Sequence, residues 1–341
     1  MTILVTGGAG FIGSHTVVEL VKAGFNPIII DNLVNSNLNA IEGINSLCGK
    51  SVPFYQVDCN DILSLRKVFE DNKIEGIIHF AAFKAVGESV ENPLKYYRNN
   101  ILSLLNILDL MQEFGIRNLV FSSSCTVYGE PELIPVTENT DRKKAESPYG
   151  NTKSICEDIL SDVSVSNKNI NLISLRYFNP IGAHESSLIG ELPNGVPSNL
   201  VPFITQTAIG KREKLTVFGD DYDTPDGSNI RDFIHVVDLA KAHVAALKSF
   251  ESSNQGFYEV FNIGTGKGNS VLEIVKTFEH VNNLKLNYEI GPRRSGDVEK
   301  IFGDVEKAKK ILNWQAEKTL EDSLRDAWNW EVTLKNKKNE L

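Results

Sequence analysis

Tyr149 and Lys153 stand four residues apart in Ser147-Pro148-Tyr149-Gly150-Asn151-Thr152-Lys153. A free phenol has a pKa near 10, so a tyrosine is a poor base at neutral pH. An ammonium close by favours the phenolate. Pro148 suits the first turn of a helix, and an i, i+4 pair then shares one helix face. By itself this spacing is common on solvated helices. Ser122-Ser123-Ser124 adds a third element, because it ends an apolar run and brings a hydroxyl that can hold a reacting oxygen. A serine run after a strand is, taken alone, an ordinary loop. A phenol that removes a proton from a carbinol also needs a hydride acceptor. Far upstream, Gly7-Gly8-Ala9-Gly10-Phe11-Ile12-Gly13 offers a place for one.

The glycine loop follows the apolar run Ile3-Leu4-Val5 and opens a helical pattern, the context that G-x-G-x-x-G requires. Its glycines permit a tight turn and close approach of a pyrophosphate, which a helix N-terminus attracts. Asp31 ends the next apolar run, 18 residues after Gly13. An acid there accepts from ribose hydroxyls and repels the extra phosphate of NADP, so the expected cofactor is NAD. Asp58, at the end of a third apolar run, is a candidate for the adenine side. No metal site is expected.

The elements that must position these groups alternate. Strands are expected near 3–5, 28–30, 52–57, 76–80, 119–122 and 170–177, and helices near 12–23, 93–114 and 148–165. Near-continuous apolar strands alternating with helices mean a parallel sheet covered on both faces. The fold class is therefore α/β: a Rossmann-type doubly wound parallel sheet with a second, smaller α/β substrate domain. Residues 1–177 form the NAD-binding domain, with segments near 237–263 returning to it. Residues 178–341 mainly form the substrate domain, rich in Pro, Gly, Asn and Asp at 179–230. Helices are expected near 237–250, 271–280, 305–312 and 320–334, with a frayed polar tail from 335. The three tryptophans, Trp314, Trp328 and Trp330, read as packing.

The 341 residues carry 35 basic and 44 acidic side chains, a net charge of −9. That balance argues against nucleic acid or an anionic membrane as partner. Apolar runs are strand-sized, well short of the roughly 20 residues of a membrane helix. The start Met1-Thr2-Ile3-Leu4 has no basic n-region and enters a strand, so no signal peptide is expected. Cys48, Cys59, Cys125 and Cys156 are scattered, as reduced thiols of a cytoplasmic protein would be.

Over nearly its whole length the chain resembles the extended short-chain dehydrogenase/reductase family, and within it the sugar-nucleotide 4-epimerases. The segments that carry this are Thr6–His15, His79–Ser89, Ser122–Gly129, Ser147–Lys153, Leu175–His184, Asp226–Val236 and Pro292–Asp297. The resemblance implies reversible interconversion of UDP-glucose and UDP-galactose through a 4-keto sugar on tightly bound NAD, within galactose metabolism. Tyr149 would be base and acid, Ser124 its hydrogen-bonding partner, and Lys153 the group that holds the nicotinamide ribose and lowers the Tyr149 pKa. The cofactor would also meet the glycine loop (Gly7, Gly10, Phe11, Ile12, Gly13), Asp31, Asn32 and Asp58. Phe80, Ala81, Ala82, Lys84, Asn99, Ser122 and Tyr177 complete that set. The UDP-sugar would meet Ser124, Tyr149, Asn179, Asn199 and Leu200, then Phe218, Arg231, Arg294, Asp297 and Ile301. Two arginines can clamp a diphosphate by charge-assisted bonds. Arg293 reads as a surface residue and His235 as a satisfied core residue.

Dehydratases of the family carry an Asp-Glu pair after the serine or threonine of the strand-5 loop, and decarboxylases a Glu. Here those positions are Cys125 and Thr126, which favours return of the hydride to an intact sugar. Ile301, four residues past Asp297, is neither the tyrosine that accompanies restriction to glucose and galactose nor the small residue that accompanies N-acetylated sugars. UDP-N-acetylhexosamines therefore stay open as substrates. The resemblance also implies a homodimer built on the helices near 93–114 and 148–165.

Overall fold

The computed structural model describes residues 1–252, 255–294 and 297–339. Ser295 and Gly296 of the 292–297 segment, and residues 340–341 of the expected tail, lie outside them. The first half alternates strand and helix: β1 (Thr2–Thr6), α1 (Phe11–Lys22), β2 (Asn26–Asp31), α2 (Leu38–Cys48), β3 (Phe54–Gln56), α3 (Ile62–Asp71) and β4 (Gly76–His79). It continues with α4 (Val86–Glu91), α5 (Pro93–Phe114), β5 (Asn118–Ser122), α6 (Pro148–Ser166) and β6 (Asn171–Tyr177). The second half is shorter in its elements: β7 (Asn179–Ile181), α7 (Leu200–Ala208), β8 (Leu215–Phe218), β9 (Ile230–Arg231), β10 (Phe233–His235), α8 (Val236–Ser249) and β11 (Phe257–Ile263). Then come β12 (Asn269–Ser270), α9 (Val271–Asn282), β13 (Tyr288–Gly291), β14 (Lys300–Ile301), α10 (Glu306–Ile311) and α11 (Leu320–Asn339).

Seven strands form one sheet in the order β11-β6-β5-β4-β1-β2-β3, every pair parallel. The order reverses beside β1, where a doubly wound sheet opens its ligand crevice beyond the strand carboxyl ends. Side chains alternate between two buried layers, as a strand's period of two demands. Ile3, Val5, Ile29, Ile78 and Val120 pack under α1, α2 and α8, while Leu4, Ile28, Ile30, Ile77 and Leu119 pack under α3, α5 and α6. The strand β11 and the helix α8 thus belong physically to the sheet formed by the first half. A separate core unites α7, β8, α9 and α11 through Val201, Ile204, Val217, Ile274, Phe278 and Leu324.

Helix ends follow local chemistry. The Ser147 hydroxyl accepts from Gly150 N at 3.1 Å and Pro148 fills the first turn, fixing where α6 starts. Ser270 and Glu273 form a reciprocal capping box on α9. Two expectations shift. The third strand shrinks to Phe54–Gln56, because it is the sheet edge and Pro53 has no N–H to donate. The tail expected from 335 continues α11 as helix through Asn339. Among the described residues no helix is long and apolar enough to cross a membrane.

Candidate active site

The phosphate loop is made by β1 and α1 meeting at close range. Gly10 precedes α1 in extended conformation and brings no side chain to cap the helix. The first-turn N–H groups of α1 are therefore free of side-chain capping and face the loop. A Cβ on Gly13 would sit 2.3 Å from Gly7 O, so this crossing of helix over strand requires glycine. The Asp31 carboxylate, buried at the end of β2, is held by three donors: Ala9 N at 3.1 Å, Leu33 N at 2.9 Å and Ser36 Oγ at 2.7 Å. Asp58 accepts from Asn32 Nδ2, Asn60 N and Asn60 Nδ2, and Asn60 also donates to Asn99 Oδ1.

A cavity of about 400 Å³ runs from this loop to Tyr149 and Lys153. All the cofactor residues expected from the sequence line it, from Gly7 through Asp31, Asp58, Phe80–Lys84 and Asn99 to Ser122 and Tyr177. A glycine cradle at one end, the Asp31 and Asp58 carboxylates along the wall and a phenol at the other end fit an extended dinucleotide. Ser36, Asn60, Tyr96, Glu191 and Trp330 also line the cavity, and sequence reasoning missed them. Ser36, Asn60 and Glu191 lie in loops and Trp330 far along the chain, where spacing carries no signal, while Tyr96 lies on α5 among ordinary helix-packing residues. Trp330 is buried, as packing requires, and also lines the cavity. Its Nε1 donates to Glu191 O at 2.8 Å.

At the catalytic end Tyr149 is 8% exposed, and the neighbouring Ser124 hydroxyl draws the pKa of its phenol downward. Lys153 Nζ donates to Ser122 O at 2.7 Å, and Ser122 Oγ pairs with Tyr177 Oη at 2.7 Å. Burial brings the Lys153 ammonium down to about 8. The expectation that Lys153 lowers the Tyr149 pKa meets a stronger effect here. Burial and the neighbouring Tyr177 push the phenol upward, against the lowering by Ser124. The lysine sits 6.0 Å from the Tyr149 ring centroid, with one N–H spent on Ser122 O. Behind the pair, Arg176 grips Glu157 through Nε at 2.9 Å and Nη2 at 2.6 Å, and Ser123 Oγ donates to the same carboxylate at 2.5 Å. Glu157 is one turn beyond Lys153 on α6, so this buried network fixes α6 against the end of β5.

Most residues expected at the sugar nucleotide fall outside this cavity. Of them, Tyr149 and Asn199 line the dinucleotide cavity; Ser124, Asn179, Leu200, Phe218, Arg231, Arg294, Asp297 and Ile301 lie outside its lining. Short strands bring several together. Register in the small sheet sets Ile301 beside Arg231, and Ile301 packs in one buried cluster with Cys125 and Phe178. Arg294 lies over the Phe218 ring at 5.7 Å and pairs with Asp297 at 2.6 Å. Arg231 donates to Ile230 O at 2.8 Å, and among the described residues it forms no ion pair. Burial and Arg294 lower its pKa, partly opposed by Asp297. A half-buried guanidinium with no carboxylate of its own among the described residues is well suited to an anionic ligand. Leu200 opens α7 and Asn199 precedes it. Asn179 is exposed on β7. Arg293 pairs with Asp221 at 2.7 Å on the surface, as expected. His235 caps α8 by accepting from Val237 N and meets Asp326 at 3.2 Å, a satisfied core residue. Among the described residues no group of three or more His, Cys, Asp or Glu is placed to hold a metal.

The matching family model, described as GDP-mannose 4,6 dehydratase, spans residues 4–327. A UDP-glucose 4-epimerase of Dictyostelium discoideum is 52% identical over 96% of this chain and 95% of its own length. Among solved structures, a UDP-glucose 4-epimerase of Stenotrophomonas maltophila with bound NAD and formylated UDP-arabinopyranose is 43% identical, with a TM-score of 0.96 over 99% of both chains. One from Bifidobacterium longum in complex with NAD+ and UDP is 45% identical, with a TM-score of 0.94 over 98% of this chain and 99% of its own. With a sheet that opens beside β1, a glycine cradle and Tyr149 beside Ser124, the chain belongs to the UDP-glucose 4-epimerase branch of the extended short-chain dehydrogenase/reductase family.

Proposed function

We infer that the protein interconverts UDP-glucose and UDP-galactose by inverting carbon 4 of the sugar. The observation that carries this is the environment of Tyr149 and Ser124. Next to them stand Cys125 and Thr126, where an eliminating relative needs carboxylates. Cys125 is buried, and its thiol is pushed up to about 12 by burial. Asp232, whose charge acts on that thiol, already accepts from Thr265 N, Thr265 Oγ1 and Gly266 N. It is occupied as a structural acceptor and does not serve as a free acid for loss of water.

Tyr149 takes the proton of the 4-hydroxyl and later gives one back to the same oxygen, with Ser124 holding that oxygen. NAD, when bound, supplies the hydride acceptor and a positive charge that opposes the burial penalty on the phenolate. Lys153 holds the nicotinamide ribose while fixed to Ser122 O. Arg231 and Arg294 hold the diphosphate, so the sugar can present either face to Tyr149 while its anchor stays in place. Residues 1–177 with α8 and β11 serve the cofactor, and most of the remainder serves the UDP-sugar. Leu94, Leu102 and Leu105 remain exposed along α5, which packs beside α6, and two copies pair through this face. All four cysteines are free thiols, in keeping with a reducing cytoplasm.

The test is incubation of purified protein with UDP-galactose, with and without added NAD, and assay for UDP-glucose. Conversion is expected. No conversion under either condition refutes the reading, and a dehydrated 4-keto-6-deoxy product transfers it to the dehydratases. A parallel arm with UDP-N-acetylglucosamine reads whether the wall at Ile301 admits the larger sugar.

A further inference from the structure

Glu191 is tied to Lys84, expected at the cofactor, and to Asn199, expected at the sugar nucleotide, and all three line the same cavity. Glu191 Oε1 accepts from Lys84 Nζ at 3.0 Å and from Asn199 Nδ2 at 2.7 Å. Lys84 follows β4 on the cofactor side of the cleft; Asn199 precedes α7 on the sugar-nucleotide side. The Glu191 side chain is 11% exposed, whereas that of Lys84 is 55% exposed. The carboxylate is thus the fixed member of the pair and the lysine the adjustable one.

The backbone around Glu191 is held from both sides. Trp330 Nε1 grips Glu191 O, and a Cβ on Gly190 would lie 2.6 Å from the Trp330 ring. On the other side, a Cβ on Gly43 of α2 would lie 2.4 Å from Leu188 O. The segment 188–191 is therefore clasped between α2 of the dinucleotide half and α11 of the other half. Asn199 gives a second sign. An asparagine before a helix ordinarily caps it through its side chain. Here that side chain makes no cap bond and goes to Glu191 instead. The cap energy is given up for a contact across the cleft, and the first turn of α7 keeps its N–H groups free of that side chain.

We propose that Glu191 is a positioning residue that couples cofactor binding to sugar-nucleotide binding, by holding Lys84 and Asn199 on one carboxylate oxygen. An ammonium has three N–H groups, so Lys84 can serve Glu191 and a cofactor phosphate at once. It then also screens the phosphate from the carboxylate, which would otherwise repel it. Binding of UDP beside Asn199 firms the carboxylate, and the carboxylate firms Lys84. This proposal rests on the epimerase reading of the site.

The experiment uses the purified holoenzyme and two readouts besides turnover: UDP binding by calorimetry, and release of bound dinucleotide with and without UDP. In the wild type, UDP slows dinucleotide release. In Glu191→Ala both links are lost, and the slowing shrinks by roughly 5-fold or more, a typical size for site–site coupling. Glu191→Gln keeps an acceptor for Asn199 and loses the charge facing Lys84. It releases dinucleotide faster while UDP affinity stays within about twofold of wild type. In turnover the loss falls on KM more than on kcat, and the effects of Lys84→Met and Glu191→Ala are non-additive. A purely structural role lowers the melting temperature and leaves the UDP effect on dinucleotide release intact, which overturns the proposal. So does full additivity with Lys84→Met. If the alanine variant fails to fold, the isosteric glutamine variant carries the test. A wild type that fails to convert UDP-galactose sinks the epimerase reading; an active wild type whose Glu191 variants keep normal coupling sinks only this inference.

Discussion

In the proposed assignment the two halves of the cleft recognise their ligands by different means. On the dinucleotide side the contacts arise from strand ends and one helix start, all on a single regular sheet. The expected residues there line one cavity. On the side proposed for the sugar nucleotide, Phe218, Arg231 and Ile301 end strands of two to four residues and Arg294 follows β13 by three residues, and these strands pair across 70 or more positions, such as Lys300 with Ile230 and Gly291 with Phe218. A pyrophosphate is read by backbone N–H groups, which a short local motif can aim. A diphosphate held by guanidinium groups is read by side chains, and only long-range pairing sets their spacing.

Substitutions on the two sides should therefore fail differently. Tyr149→Phe should lower turnover by roughly 10²–10⁴-fold while the protein keeps its dinucleotide. Near-normal turnover in a rapid assay would remove the phenol from the mechanism. Arg231→Met should raise the KM for UDP-galactose by roughly 10- to 100-fold, the worth of a charge-assisted bond, and leave dinucleotide content unchanged. Loss of the dinucleotide in that variant would erase the proposed division between the halves.

The smallest effect sets three buried imidazoles of the sheet-bearing half against one buried carboxyl of the other. Burial holds His15 and His79 neutral with pKa values of about 3, and His243 of about 4, all below the ordinary 6.5. Each binds a proton more readily when unfolded, so stability is full above pH 6.5 and is lost as pH falls towards those values. Asp232, on the other side, is raised by burial from 3.8 to about 6. The folded protein binds that proton better, so its contribution is full at acid pH and is lost as pH rises through 6. Three imidazoles outweigh one carboxyl, and acid should destabilise by at most about 1.4 kcal/mol per pH unit for each net group. Denaturant titrations at pH 7 and 5 check this. His79→Gln should flatten the acid limb and Asp232→Asn should steepen it; a limb unchanged by either would remove these groups from it.

The sequence carried the dinucleotide half well because its signals are local. Gly13 announces a crossing that no Cβ could enter, Asp31 closes an apolar strand, and Ser147-Pro148 starts the helix that bears Tyr149 and Lys153. Periodicity likewise placed the sheet, apart from the shortened edge strand β3 and the last helix, which outruns its expected end. In the other half, Arg231 and Arg294 were legible only through resemblance to a family, since nothing in their spacing says that one is half-buried with no ion pair among the described residues and the other lies over Phe218.

Chain order alone therefore determined a parallel sheet, a phosphate loop and a phenol–lysine pair, because 2.0- and 3.6-residue periods and cap chemistry act over a few residues. Tertiary structure decided the burial of that pair, which pushes the phenol up and the ammonium down while one lysine N–H is given to Ser122 O. It also decided which acid spans the cleft. Glu191 stands 107 residues from Lys84, and only the packing of α2, Trp330 and α7 around one loop makes it their common partner.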